Sequence, residues 1–217
     1  MELGVMVGAL VDGLGLSAWI FVVTLVGSLP LGIVVALCRM SSFKPLSLLA
    51  QFCISILRGT PLMLQLMAFM FGPYYLLGMN MGTDWKFGAC AVGFILNYSA
   101  YFAEIYRSGI QSIPKGQYEA ALVLGYSRSQ TFFKIVLPQV IKRILPAMGN
   151  EIITLVKDTS LAFAIAYTEM FTMAKQIASA QASLMPLFIA GLFYYIFNFV
   201  VAFVMEQHVE RYHPGHA

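Results

Sequence analysis

No charged residue stands between Asp12 and Arg39; the intervening run, "GLGLSAWIFVVTLVGSLPLGIVVALC", is apolar or small almost throughout. In hydrocarbon there is no water to satisfy backbone N–H and C=O groups, so only a helix or a closed barrel can cross. Barrel strands appear as short alternating segments, and none is evident. About 20 apolar residues make a helical crossing, and five runs reach that length, at about 14–37, 46–77, 87–110, 146–167 and 184–205. Composition agrees: of 217 residues 59% are hydrophobic and 11% charged, with a mean hydropathy of +0.79, against about 25% charged in soluble domains. The expected fold is all-α, a polytopic membrane protein of five transmembrane helices in a single domain, 1–217.

The second run is too long for one simple span, and "RGTPL" places Thr60 before Pro61, a cap followed by a first-turn proline. A break is expected there, with the crossing part mostly after Thr60. Met63, Met67 and Met70 recur at helical spacing on this span and read as packing. Glu2 and Asp12 open the chain without a Lys or Arg, unlike a cleaved signal. Arg39 and Lys44 follow the first span, and Arg107, Lys115, Arg128, Lys134, Lys142 and Arg143 lie between the third and fourth. Loops around Asp84 and Lys86, and around Glu169 and Lys175, are balanced. Positive loops stay in the cytoplasm, so the N-terminus is expected outside and the C-terminus inside. Cys38, Cys53 and Cys90 stand singly and read as buried small apolar residues. His208, His213 and His216 read as a solvated tail rather than metal ligands. No Gly-x-x-x-x-Gly-Lys-Ser/Thr loop is present, so ATP is not bound by that route, and nothing points to nucleic acid.

The basic loop at about 112–138 carries "EAALVLGYSRSQTFFKIVLP", an alanine-rich stretch in an otherwise greasy chain. Pro114 permits a helix start but blocks continuation of the third span. Tyr118, Ala121, Leu122 and Gly125 then fall near one face, Gly125 turns the chain, and a second short helix carries Phe132, Phe133 and Ile135 until Pro138 ends or bends it. Two short helices joined at glycine suit either a docking surface for a cytosolic partner or a hairpin lying on the bilayer.

Glu119-Ala120-Ala121, three residues to Gly125, nine to Ile135 and a closing Leu137-Pro138 resemble the cytoplasmic loop of ABC importer permeases. "LRGTPLMLQL", "AYFAEIYRSGIQSIPKGQYEAA" and "KIVLPQVIKRILPAMGNEIITLVKDTSL" resemble the polar amino acid branch, and together these segments cover about half the chain. The resemblance implies a type I importer permease fold. It implies that 119–125, with Glu119, Ala120, Ala121, Gly125 and the variable Tyr126, is a coupling helix seated on a dimer of cytosolic ATPases. It further implies a second permease subunit, identical or a paralogue, an extracytoplasmic substrate-binding protein and a bacterial cytoplasmic membrane. ATP and Mg would be bound by the partner ATPase, with no cofactor in this chain, which is then not an enzyme.

Polar residues inside spans are costly and mark function by default. Asn97, Tyr101, Glu104 and Ser108 share one face of the third span, and Glu151, Thr154 and Asp158 share one face of the fourth, with Asn150 and Lys157 alongside. Facing one another, they would line a cavity suited to a zwitterion: carboxylates for an ammonium, and Asn, Ser, Thr and backbone N–H groups for a carboxylate. The competing structural assignment pairs Glu104 with Arg107, and Asp158 with Lys157 or Arg58. Ser160 would cap a break after Asp158. A self-sufficient secondary transporter using intramembrane carboxylates, or a membrane scaffold, are the rival functions; no inverted repeat supports the former. The sequence does not name the amino acid.

Overall fold

A computed structural model describes residues 3–79, 82 and 85–212; Glu2, Asp84, His213 and His216 lie outside the described residues. The described chain is helical: α1 (Leu3–Arg39), α2 (Lys44–Gly59), α3 (Leu62–Leu77), α4 (Trp85–Gln111), α5 (Lys115–Val123), α6 (Arg128–Gln130), α7 (Leu137–Asp158), α8 (Met170–Gln181) and α9 (Met185–Tyr212). A π-helical turn, Thr131–Val136, joins α6 to α7, and a 3₁₀ segment, Thr159–Ile165, comes after α7.

α1 packs most extensively on α4. Its buried positions Gly13, Ser17, Thr24, Ser28, Gly32 and Ala36 form a stripe of small side chains, which lets helix backbones approach closely in a membrane. A Cβ on Gly32 would lie 2.9 Å from Phe102 Cβ and 3.3 Å from the Ser99 carbonyl. We expect Gly32→Val to cost about 1–3 kcal/mol by overpacking, read as a lower thermal midpoint of the purified protein in detergent.

The break in the second run is present: α2 and α3 meet at 108°. Each half is 16 residues long, shorter than a typical crossing, and the two reach the length and composition of a span only as a pair. Thr60 also does not cap α3. Its hydroxyl donates back to the Ile56 carbonyl (2.8 Å), because extended Thr60 belongs to the end of α2. The exposed carbonyls of the break are met instead by amides. Gln65 Nε2 reaches the carbonyls of Leu57 (2.9 Å) and Thr60 (3.1 Å), and Asn97 Nδ2 donates to Leu57 O (2.9 Å) and Gln65 Oε1 (3.0 Å). Backbone groups freed inside a membrane require such partners.

Around α4 the core gathers Phe94, Tyr98, Phe102, Leu66 and Leu155, with Met67 and Met70 packed against it as a packing stripe would be. Of the cysteines only Cys90 is buried; Cys38 is half-buried and Cys53 exposed, on the outward face of α2 beside Phe52. Pro138 does not end the loop's second helix, which widens into the π-helical turn and runs on into α7. A proline removes one N–H and crowds the preceding turn, and a π turn supplies the room. The fourth helix therefore starts before Pro146. It leaves α geometry at Asp158, where Ser160 donates back to Lys157 O (2.8 Å) rather than capping the 3₁₀ segment.

Among the described residues, α1 and α9 are each long and apolar enough to cross a membrane, and the α2–α3 pair is a third candidate. α4 and α7 miss that composition because they carry the two polar stripes, among them Asn97, Tyr101 and Glu104 on one and Glu151, Thr154 and Asp158 on the other, and α7 also bears Lys142 and Arg143 nearer its start.

Candidate functional site: a polar cavity and a helical hairpin

The two stripes meet. A cavity of about 400 Å³ is lined by Asn97, Tyr98 and Tyr101 of α4, by Glu151, Thr154 and Asp158 of α7, and by Thr60, Pro61 and Leu62 at the break. Leu161 of the 3₁₀ segment completes the wall. Asp158 has no ion pair with Lys157 or Arg58; its partner is the Tyr98 hydroxyl, which donates to Oδ2 at 2.7 Å. An O–H donor to a carboxylate is a strong, charge-assisted bond. Tyr98 is 2% exposed, so the cavity wall holds this carboxylate firmly. Arg58 instead stacks over the Tyr101 ring, 5.0 Å from its centroid, a cation–π contact. Neither Tyr98 nor the Thr60–Leu62 break is legible in the sequence as part of the cavity wall: Tyr98 sits off the polar stripe, and only Asp158 across the bundle explains it.

Two expected cavity residues lie elsewhere. Glu104 pairs with Arg107 (2.6 Å), the one ion pair among the described residues, and Arg107 also reaches Gln111. Asn150 lines a separate groove between α7 and α9 with Gly149 and Glu206, since one residue along a helix rotates a side chain by about 100°. Asn97 touches the cavity but spends its amide on the break. Ser108 donates to Ile105 O and Thr154 to Asn150 O, both within their own helices.

In the hairpin at 112–138 Gly125 has φ +80. Its N–H donates to Leu122 O (3.0 Å), and the Tyr126 N–H donates to Ala121 O (3.0 Å). These two bonds are the Schellman termination that favours glycine. Ser127 and Gln130 then form a reciprocal capping box that starts the next helix. The face expected to dock is turned differently. Ala121 is buried and Tyr118 packs with Ile113, Val136 and Val140, while Glu119, Ala120, Leu122, Val123 and Leu124 are exposed. Larger Tyr118 is the residue that seats the helix, leaving a row led by Val123, 88% exposed, pointing away from the chain. Arg143 ties the base of the hairpin by donating to Ser112 O and Oγ.

Residues 28–213 match the family described as "Binding-protein-dependent transport system inner membrane component". The chain belongs to that family. This permease is 41% identical to the arginine transport system permease protein ArtQ of Bacillus subtilis, over 93% of this chain and 91% of that one. It is 36% identical to the L-cystine transport system permease protein TcyB of Bacillus subtilis, over 84% and 78% of the two chains. The structure is similar to the crystal structure of an amino acid ABC transporter with histidines, with a TM-score of 0.86 and 31% identity over 97% of this chain and 99% of that one. Membership makes the chain a non-catalytic transport component and sets aside the self-sufficient secondary transporter. Among the described residues no cluster of side chains is suited to a metal ion.

Proposed function

We propose that this permease carries a polar amino acid inward across the cytoplasmic membrane by alternating access, powered by separate ATPase subunits. The cavity is the observation that carries the reading. Glu151 and Asp158 on one wall offer negative charge to an ammonium, while the start of α3 at the break faces the same space. A helix N-terminus presents N–H groups without partners inside the helix, and broken membrane helices place such ends at anionic substrate groups. A zwitterion satisfies both walls at once. Tyr101 and Thr154 then contact the cargo directly, and Asn97 acts through the break it holds.

Chain 1–217 is read as one transmembrane domain with five crossings: α1, the α2–α3 pair, α4, α7 and α9. The N-terminus lies outside and the C-terminus in the cytoplasm. The hairpin at 112–138 meets an ATPase dimer, which binds ATP and Mg, through Glu119, Ala120 and Val123, with Gly125 and Tyr126 shaping the turn. A second permease subunit, identical or paralogous, completes the pathway, and an extracytoplasmic binding protein delivers cargo. The test is equilibrium binding of labelled arginine, glutamine and cystine to the purified permease complex. Saturable binding of at least one of them, displaced by unlabelled amino acid, is expected; binding unaffected by Glu151→Gln and Asp158→Asn would overturn the site.

A further inference from the structure

Glu169 is 0% exposed, and the cavity does not use it. Its two oxygens serve different ends. Oε1 accepts locally, from the Thr172 N–H (2.7 Å) and the Thr172 hydroxyl (2.8 Å), which caps α8. Oε2 also takes the Phe171 N–H (2.7 Å), but reaches beyond its own segment to the Tyr194 hydroxyl of α9 (2.8 Å) and the Ser17 hydroxyl of α1 (3.4 Å). Ser17 Oγ in turn accepts from the Met170 N–H (3.3 Å), where a Cβ on Gly13 would meet Met170 Cα at 2.7 Å. Every one of these donors is neutral, and among the described residues no cation lies in ion-pair range of the carboxylate. A helix cap alone does not call for a glutamate, since Ser, Thr, Asp and Asn are the preferred capping residues. Donors converge on Glu169 from three helices, α1, α8 and α9, and a carboxyl group with two acceptor oxygens can serve the local cap and the interhelical bonds at once.

The segment so held runs directly from the cavity. The 3₁₀ turn after Asp158 contributes Leu161 to the cavity wall, then leads into α8. α8 is bracketed by Ala166 (φ 51) and Ala182 (φ 47), the two non-glycine residues of positive φ among those described. An L side chain disfavours that conformation, so both ends of the segment are strained and the packing between them must hold them.

We propose that Glu169 is a positioning residue whose Oε2 latches the segment 159–181 to α1 and α9. Release of the Tyr194 and Ser17 bonds is what lets the cavity open to the outside. The proposal rests on the importer reading and its orientation. The test is labelling of Leu161→Cys, in a background with Cys38, Cys53 and Cys90 replaced, by a membrane-impermeant maleimide added outside vesicles holding the full permease complex. Tyr194→Phe and Ser17→Ala remove the hydroxyls that reach Glu169 from α9 and α1, Ser17→Ala also a bond to Gly13 O within α1 (3.2 Å), and are expected to speed labelling by about tenfold each, about 1.4 kcal/mol. Thr172→Val removes a hydroxyl from the local half and is expected to leave the rate unchanged. Glu169→Gln combined with Tyr194→Phe is expected to gain no more than Glu169→Gln alone, as partners in one bond do. Unchanged labelling in Tyr194→Phe and Ser17→Ala overturns the latch, as does an equal gain in Thr172→Val, which reduces Glu169 to a cap. Ser17→Ala decides alone if Tyr194→Phe does not fold. Labelling needs neither ATPase nor cargo, so a failed latch is distinguishable from absent ATP-driven uptake, which counts against the importer reading itself.

Discussion

Gly125→Val is expected to abolish ATP-driven uptake while leaving the membrane helices folded. The backbone at Gly125 has φ +80, where a β-branched side chain is a steric outlier. An L residue there costs about 1–2 kcal/mol, enough to unwind the two bonds that close α5 and to misdirect Val123. Apart from its chain neighbours, no described atom lies within 4 Å of a Cβ placed on Gly125, so internal crowding cannot account for the loss. Gly125→Asn separates the remaining causes, because Asn tolerates the left-handed region. Retained uptake in Gly125→Asn assigns the defect in Gly125→Val to backbone conformation. Equal loss in both assigns it to close approach of the partner ATPase. Measured uptake equal to the native protein in Gly125→Val would count against coupling through this hairpin.

Asp158→Asn is the second large effect. The hydroxyl of buried Tyr98 holds Oδ2 at 2.7 Å, and losing one charge-assisted bond costs about 1.5–3 kcal/mol. If Asp158 holds the cargo's ammonium, Asp158→Asn raises the concentration for half-maximal uptake by roughly ten- to hundredfold. Tyr98→Phe, which leaves the carboxylate in place, produces a smaller rise. Glu104→Gln is the control: its carboxylate is committed to Arg107 outside the cavity, and a partly exposed pair contributes about 0–1 kcal/mol. Uptake in Glu104→Gln should match the native protein. Equal losses in Asp158→Asn and Glu104→Gln would remove the distinction that the cavity draws between them.

Local rules are readable along the chain, and their limits are physical. Gly125 announces its turn because few other residues sit at positive φ, and Thr60-Pro61 announces a break because proline ends a ladder. The α4 and α7 stripes are visible as periodicity, which is how Asn97, Tyr101, Glu151 and Asp158 can be matched without knowledge of any contact. Periodicity cannot say which pairs close: Glu104 lies on the same face yet turns to Arg107, and Asp158 finds Tyr98 instead of a cation. Tyr118 and Leu122 share a helix face, but only the packing of Ile113 and Val136 shows that Tyr118 is turned inward. In the sequence Glu169 reads only as half of a balanced loop, because glutamate is not a favoured cap and its partners Ser17 and Tyr194 are distant along the chain.

The most direct measurement is transport by the purified chain in liposomes, with and without its ATPase subunits and delivery protein. Uptake of labelled amino acid should appear only with ATPase and ATP present, and should vanish in Gly125→Val. Accumulation by the chain alone, driven by an ion gradient, would contradict the account.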